Sequence, residues 1–402
     1  MSKTIALVGA LDTKGKEYHF VKELIESAGI RTLVIDFGVM NPPEFEPDIT
    51  RQQVCDAASG DLDKLSSGKY KDDAMRVMSQ GLAVTIRQLY DQEKFDGIFG
   101  MGGTGGTSII TTAMRELPVG FPKLMLSTVG GGDVSNYAGT KDITFMPSIV
   151  DVAGLNSISR SIYTNAAGAI IGMVQIEKST SEEKPLIAAS MFGNTTEAVD
   201  HARGILEDAG YEVLVFHATG TGGRTMEGLI KDGHINASLD ITTTELADYV
   251  CGGVFDAGPE RVMGASEAGI PAVVVPGCVD MANFGGIETV PEKYRHRNLY
   301  QWNPNVTLLR TNEEENEQIG KLIASAVNKS NAPVTIFLPL RGVSMLDSEG
   351  ERFWDPAADR ACFDAIKSNV NKNVKIVEID ANINDQKFSS EVAKALINLL
   401  TK

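Results

Sequence analysis

The feature that most restricts what this chain can fold into is a stretch it carries twice. IALVGALDTKGKEYHFVKELIESAGIRTLVIDFG, starting at Ile5, aligns without a gap on LIAASMFGNTTEAVDHARGILEDAGYEVLVFHATG, starting at Leu186, 181 residues later. In the first copy an apolar run from Thr4 to Val8 precedes a helical pattern from Glu17 to Ser27, a glycine stop at Gly29 and a second run from Arg31 to Asp36. This is a βαβ unit, and its two strands must be parallel. A second echo follows in the same order: a strand leads into GGGDVSNYAG in one half and into GCVDMANFGG in the other, matching Asp133, Asn136 and Tyr137 with Asp280, Asn283 and Phe284.

Duplication and strand–helix alternation predict an α/β protein of two Rossmann-like domains, each a doubly wound parallel sheet with helices on both faces. The boundaries are expected at 1–180 and 186–402, joined by the polar, proline-terminated connection Glu177 to Pro185. FDGIFG, LMLSTV, AVVVP, VTIFLPL and VKIVEID have the continuous apolar character of strands buried on both sides. Helices are expected over Asp72–Gln92, Glu313–Lys329 and the C-terminal SSEVAKALINLL.

With 53 acidic against 37 basic residues and a net charge of −16, the chain is a poor partner for nucleic acid. No apolar run reaches the roughly 18 residues of a membrane span. The N-terminal MSKTIALVGALDTKG turns polar too soon for a secretory signal. Cys55, Cys251, Cys278 and Cys362 show no paired spacing and read as thiols in a reducing cytoplasm.

Chemistry is expected in the loops after the strands, because open parallel sheets bind ligands beyond their carboxyl ends. Such loops from the two halves are expected to face one another across an interdomain cleft. GMGGTGGTS, Gly100 to Ser108, follows FDGIF and holds four glycines between Gly102 and Thr107. It matches G-x-G-x-x-G, but the next strand ends in Ser127-Thr128 without the acidic ribose ligand of a dinucleotide site. ALDTKGKE is no P-loop either, since Gly9 lies one residue too far from Gly15-Lys16 and Glu17 stands where Ser or Thr would hold magnesium.

What remains is a glycine-rich turn opening a helix, whose amides and positive end suit phosphate. Gly102, Gly103, Thr104, Gly105, Gly106 and Thr107 are therefore candidate phosphate ligands. In the turn Asp12, Thr13 and Lys14, the lysine would balance phosphate charge and Asp12 would bind a metal or a hydroxyl; an N-cap and a solvated lysine is the alternative. ATGTGGRTME offers Gly222, Gly223 and the bidentate donor Arg224. Arg341 follows a strand, where it could clamp an anion. Asp133 and Asp280 are candidates for magnesium binding or for a base, with Asn136 and Asn283 beside them; caps or Asx-turns are the alternative. The five histidines show no metal spacing, and no G-x-S-x-G elbow is present.

Taken together, GALDTKG, GMGGTGGTS, DVSNYAGTKDITFMPSIVDVAGLN, FGNTTEAVDHAR, FHATGTGGRTMEGLI and the PLRGVSMLD segment resemble a largely bacterial family. That family is named for the ATP-binding N-terminal domain of a tomato mosaic virus resistance protein. The resemblance implies paired Rossmann-like subdomains, ATP binding and a homodimer. It also implies that this chain lacks the TIM-barrel domain that follows in the plant protein, so an activity needing that domain would require a separate polypeptide. The expected function is that of a cytoplasmic ATP-binding protein, an enzyme using ATP, with magnesium as a possible companion, on a small carboxylated metabolite. The alternatives are a non-catalytic nucleotide sensor acting with a TIM-barrel partner, and an enzyme on a phosphorylated small molecule without ATP.

Overall fold

In a computed structural model describing residues 3–177 and 184–401, the chain forms two compact units, residues 1–180 and 181–402. Most of the connection expected over 177–185 lies outside the described residues.

Unit 1 runs β1 (Thr4–Gly9), α1 (Leu11–Ser27), β2 (Arg31–Asp36), α2 (Arg51–Ala57), α3 (Leu62–Ser66), α4 (Lys71–Asp91), β3 (Gly97–Gly102), α5 (Thr104–Met114), β4 (Lys123–Ser127), α6 (Ser135–Ala138), β5 (Thr144–Pro147) and α7 (Ser157–Gln175). Its five strands are parallel, in the order β2-β1-β3-β4-β5. Alternate side chains feed opposite cores. Ile5 and Leu7 pack with α1 and α7 on one face, while Ala6 and Val8 pack with α2, α4 and α5 on the other.

Unit 2 runs β6 (Leu186–Met191), α8 (Thr196–Asp208), β7 (Glu212–His217), α9 (Thr221–Lys231), β8 (Ala237–Thr242), α10 (Thr244–Cys251), α11 (Gly264–Ala268), β9 (Ala272–Gly277), β10 (Met281–Phe284), β11 (Leu299–Asn303), β12 (Val306–Arg310), α12 (Glu313–Val327), β13 (Val334–Pro339), α13 (Pro356–Asn369), β14 (Lys375–Ile379) and α14 (Gln386–Leu400). Its parallel sheet has the order β14-β13-β9-β8-β6-β7. Each unit thus sets its first strand between its second and third, as a duplication requires. Unit 2 adds an element the sequence reading did not contain, an antiparallel sheet β10-β12-β11 between β9 and β13.

The sheet order reverses between β1 and β3, and there the strands are held apart. Their pairing runs from Ile5↔Gly97 to Val8↔Gly100. At the next rung the buried Tyr18 hydroxyl accepts from the Met101 amide at 2.7 Å and donates to the Val8 carbonyl at 2.5 Å. Gly9 makes room for that ring, since a Cβ there would lie 2.2 Å from Tyr18 Cε2.

In unit 2 the fully buried Asp248 of α10 ties down β10, accepting from the Asn283 amide at 3.0 Å and from Asn283 Nδ2 at 2.7 Å. Burial pushes its carboxyl up to about 7.

Two outcomes follow from these contacts. Gly9→Ala should destabilise the protein by about 1–3 kcal/mol through overpacking, and an unchanged thermal melt would show that the ring is not confined. Asp248 keeps a proton in the folded state that an unfolded aspartate, near 3.9, releases. Its contribution to stability is therefore full below pH ~4 and lost as pH rises through about 7. In denaturant titrations wild type should accordingly lose ground to Asp248→Asn between pH 4.5 and 8, by on the order of 2–4 kcal/mol. A constant difference between the two would contradict the assignment.

Candidate functional site

At the carboxyl ends of β1, β2 and β3, unit 1 holds a cavity of about 430 Å³. Ligand sites in open parallel sheets sit at such a switch point, and the volume suits a small molecule. Asp12, Thr13 and Lys14 line it from one side, and Gly102, Gly103, Gly105 and Gly106 from another. Two turns that the sequence reading singled out separately, some ninety residues apart, therefore share one cavity.

The glycines have different reasons. A Cβ at Gly100 would lie 2.5 Å from Ile110 Cγ2, so that residue serves strand–helix packing. Gly106 has nothing within 4 Å of its Cβ position, Gly105 meets only Met75 at 3.5 Å or more, and Gly103 only Thr128 Oγ1 at 3.9 Å. These three keep the cavity open and the α5 backbone bare. The first helical bond of α5 is from the Thr107 amide to the Gly103 carbonyl at 2.8 Å, and no described group accepts from the Thr104, Gly105 or Gly106 amides. Thr107 itself is buried, with its hydroxyl engaged by the Gly103 carbonyl and by Ser127 Oγ at 2.6 Å. It fixes the turn instead of offering a hydroxyl, contrary to expectation. Thr104 is exposed at the start of α5.

The expectation for Asp12 also changes. Its Oδ2 accepts from the Met40 amide at 2.9 Å and the Asn41 amide at 3.2 Å. Beside it the buried Asp36 Oδ1 accepts from the Leu11 amide at 3.0 Å and the Gly38 amide at 2.8 Å. Together the two carboxylates lace the turn after β1 to the loop after β2. Burial raises the Asp36 carboxyl, and Asp12 nearby adds to the shift. Capping by Asp36 also explains why α1 begins at Leu11 and not at Glu17, with non-helical dihedrals at Lys14.

The sequence reading missed the rest of the wall. Phe37, Val39, Met40, Leu65, Met75 and Ile109 make it largely apolar, and Lys71 adds a second cation. The charged residues of the lining are Asp12, Lys14 and Lys71. A lysine whose i+3 and i+4 positions are Ala74 and Met75, with no acid to pair, was the available signal.

The remaining candidates lie elsewhere. Asp133 is exposed and accepts from the Ser135 amide at 2.9 Å, an Asx-turn; hydrogen bonds from Ser135 hold its carboxyl below the ordinary range. Asn136 is exposed on α6. Asp280 is buried, accepts from Ser344 Oγ at 2.8 Å, and is raised by burial and by Asp347. Asn283 is consumed by Asp248. Gly222 and Gly223 are packing glycines, with Cβ positions 1.8 Å from the His217 carbonyl and 2.2 Å from Glu245 Oε2.

The turn that opens α9 already holds an anion: Glu245 Oε1 accepts from the Gly220 amide at 2.7 Å and the Gly223 amide at 3.0 Å. Arg261, itself buried, in turn binds Glu245 at 2.5 Å and Asp240 at 2.5 Å. Arg224 donates to the Asp256 carbonyl at 2.7 Å, and Arg341 pairs with Asp380 at 2.6 Å on the surface. Arg224 also lines a cavity of about 510 Å³ in unit 2 with Glu227, Lys231, Glu260 and Arg261, while the other second-unit candidates are held in internal contacts or on the surface. Among the described residues no group of three or more His, Cys, Asp or Glu could hold a metal ion, and no helix is long and apolar enough to cross a membrane.

Comparison with known proteins agrees with the two-unit division. Residues 3–179 match the N-terminal domain, and residues 184–400 the C-terminal domain, of Uncharacterised protein family (UPF0261). The resemblance implied a chain without the C-terminal TIM-barrel domain of the plant protein; the second half of this chain matches the family's own C-terminal domain, so a missing C-terminal domain is not borne out. A UPF0261 protein of Clostridium tetani is 49% identical over 404 residues, covering 100% of both chains. The ToMV resistance protein Tm-1(GCR237) of Solanum lycopersicum is 38% identical over 82% of this chain, which spans 45% of the tomato protein. Among solved structures, UDP-N-acetylglucosamine 2-epimerase from Rickettsia bellii is 9% identical with a TM-score of 0.25, covering 100% of this chain and 96% of that one; a likeness of that size carries no argument. On both domain matches and on full-length relatives, the chain belongs to the UPF0261 family.

Proposed function

We propose that unit 1 binds ATP in the cavity at the ends of β1 and β3. One observation carries this reading: the unpartnered amides of the first α5 turn, with Lys14 and Lys71, border the same cavity as an apolar wall. Amides at a helix start together with lysines suit phosphate, and an apolar wall suits a nucleobase. Lys14 would neutralise phosphate charge. Magnesium carried in by the phosphates would meet Asp12, the one carboxylate of the lining.

In this reading the protein is an enzyme using ATP on a small carboxylated metabolite, a cytoplasmic homodimer as the family resemblance suggests. Asp133 and Asp280, outside the lining, are not assigned as its base. The engagement of Asp12 by two backbone amides favours a second reading, a nucleotide sensor that binds without turnover and acts on a separate TIM-barrel partner. Turnover of ATP separates the two.

ATP at about 100 times its dissociation constant should stabilise the protein by roughly 2.7 kcal/mol. No calorimetric binding and no melting shift at millimolar nucleotide would end the proposal. Gly105→Val should leave the melt near wild type, because its Cβ meets only Met75, at ordinary contact distance, yet abolish ATP binding. Thr104→Ala should cost less, on the order of 1 kcal/mol of affinity at most. A destabilised Gly105→Val protein that binds ATP normally would assign the glycines to packing instead.

A further inference from the structure

The segment that joins β13 to α13, Leu340 to Asp355, has no regular structure, yet Val343, Ser344, Asp347 and Phe353 within it are buried. A structureless connection of this length is uncommon unless it works as a lid or a binding loop. It carries nearly all of PLRGVSMLD, a sequence that the cavity of unit 1 leaves unused. One guanidinium holds it down. Arg310, at the end of β12, donates to the Phe353 carbonyl at 2.7 Å, the Asp355 carbonyl at 3.2 Å, Asp347 Oδ1 at 3.4 Å and Asp359 Oδ1 at 2.8 Å. Asp280 lies close to the same cation, and all three acids are buried.

The same composition, three acids to one arginine, occurs around Arg261, but there every carboxylate is supplied with donors. Asp240 accepts from two Arg261 nitrogens and from Ser190 Oγ, Glu245 from the Gly220 and Gly223 amides, and Glu227 from the Val262 and Gly264 amides. Those acids are satisfied as anions. Asp359 is not: among the described residues its one cationic donor is Arg310, and its carboxyl is hydrogen-bonded to that of Asp347. Ionised carboxylates only accept hydrogen bonds, so a bond between two of them contains a proton. Asp280 adds to the excess of negative charge. Its Oδ2 accepts from Ser344 Oγ, while its buried Oδ1 has no partner among the described residues.

Burial first, and then the Asp347 charge, raise the carboxyls of Asp359 and Asp280. The other titratable groups at the cluster bring no second cation. Cys278 and Cys362 are thiols that burial pushes up and keeps neutral, and the Asp355 carboxylate caps α13 at the Ala357 and Ala358 amides.

We propose that the proton between Asp359 and Asp347 is a lock: while it is held, the 340–355 segment stays tied to β12 and α13, and its loss frees that segment at the carboxyl end of β13. Loops in that position are where open parallel sheets carry function. With all three acids ionised, the repulsion acts on Asp347, the one carboxyl of the three that the segment itself carries. The sign follows from the raised carboxyls: the lock is complete below the range of an unfolded aspartate, near 3.9, and is lost as pH rises through the higher folded values. It is independent of the nucleotide reading of unit 1.

The test is hydrogen exchange read by mass spectrometry on the full chain, from neutral pH to about pH 10, with each peptide's rate divided by its intrinsic chemical rate. In wild type, peptides of 340–355 should lose protection roughly tenfold or more over this range, while those of β1 and β6 keep theirs. In Asp359→Asn, whose amide can bond both Asp347 and Arg310 without titrating, protection should stay flat. Infrared spectra of wild type need no variant: the carbonyl stretch of a protonated carboxylic acid should be present at neutral pH and fade over the range in which protection is lost. Protection of 340–355 that does not change with pH, or that falls together with β1 and β6, would overturn the lock. An equal pH response in Asp359→Asn, or the absence of the infrared band, would do the same.

Discussion

A single phenolic hydroxyl decides where unit 1 opens. Tyr18 takes the rung of the ladder that Gly9 and Met101 would otherwise share, exchanging strand–strand hydrogen bonds for bonds to its own oxygen. The Met101 amide and the Val8 carbonyl therefore keep a partner in the Tyr18 hydroxyl while the strands part. Everything at the site follows from that parting. The chain after β3 turns immediately into α5, whose first amides are left facing space, and the chain after β1 turns into α1 under the Asp36 carboxylate. Asp12 and Asp36 then pin the loop after β2 as the third wall.

The duplicated unit shows what happens when the same position is not left bare. Counted from the helix start, Gly105 in α5 corresponds to Glu245 in α10. In unit 2 that carboxylate reaches the amides at the start of α9 and is held by buried Arg261. In unit 1 the corresponding residue has no side chain, and the lining carries two lysines without a carboxylate partner. One architecture thus contains an anion position filled from within and another left open. A buried charge network satisfied on every side is costly to disturb, which suits a structural role for the former. Free amides and unpaired cations at a cavity suit exchange with solvent and ligand.

Much of this was legible in the sequence where the signal is local. Continuous apolar runs marked the strands, the duplicated βαβ gave the sheet order its beginning, and glycines in GMGGTGGTS marked a turn stripped of side chains. What was not legible depends on partners far along the chain. The start of α1 is set by Asp36, 25 residues beyond Leu11. The occupant of the ATGTGGRTME turn is Glu245, 25 residues past Gly220 and 22 past Gly223. The paired Asp–Asn motifs misled because the same spacing lies on a short exposed helix in one copy and on the buried antiparallel strand β10 in the other. Lys71 escaped notice because its one local signal, the lack of an acid at i+3 or i+4, is shared by ordinary surface lysines; its place in the site comes from Lys14 and the glycine turn that line the same cavity.

The most direct measurement is a crystal structure of the protein grown with ATP. The account predicts phosphate density within hydrogen-bonding distance of the Thr104, Gly105 and Gly106 amides, and the adenine ring against the apolar wall formed by residues such as Met40 and Met75. An empty cavity at saturating nucleotide, or ATP bound at another surface with these amides still bare, would contradict it.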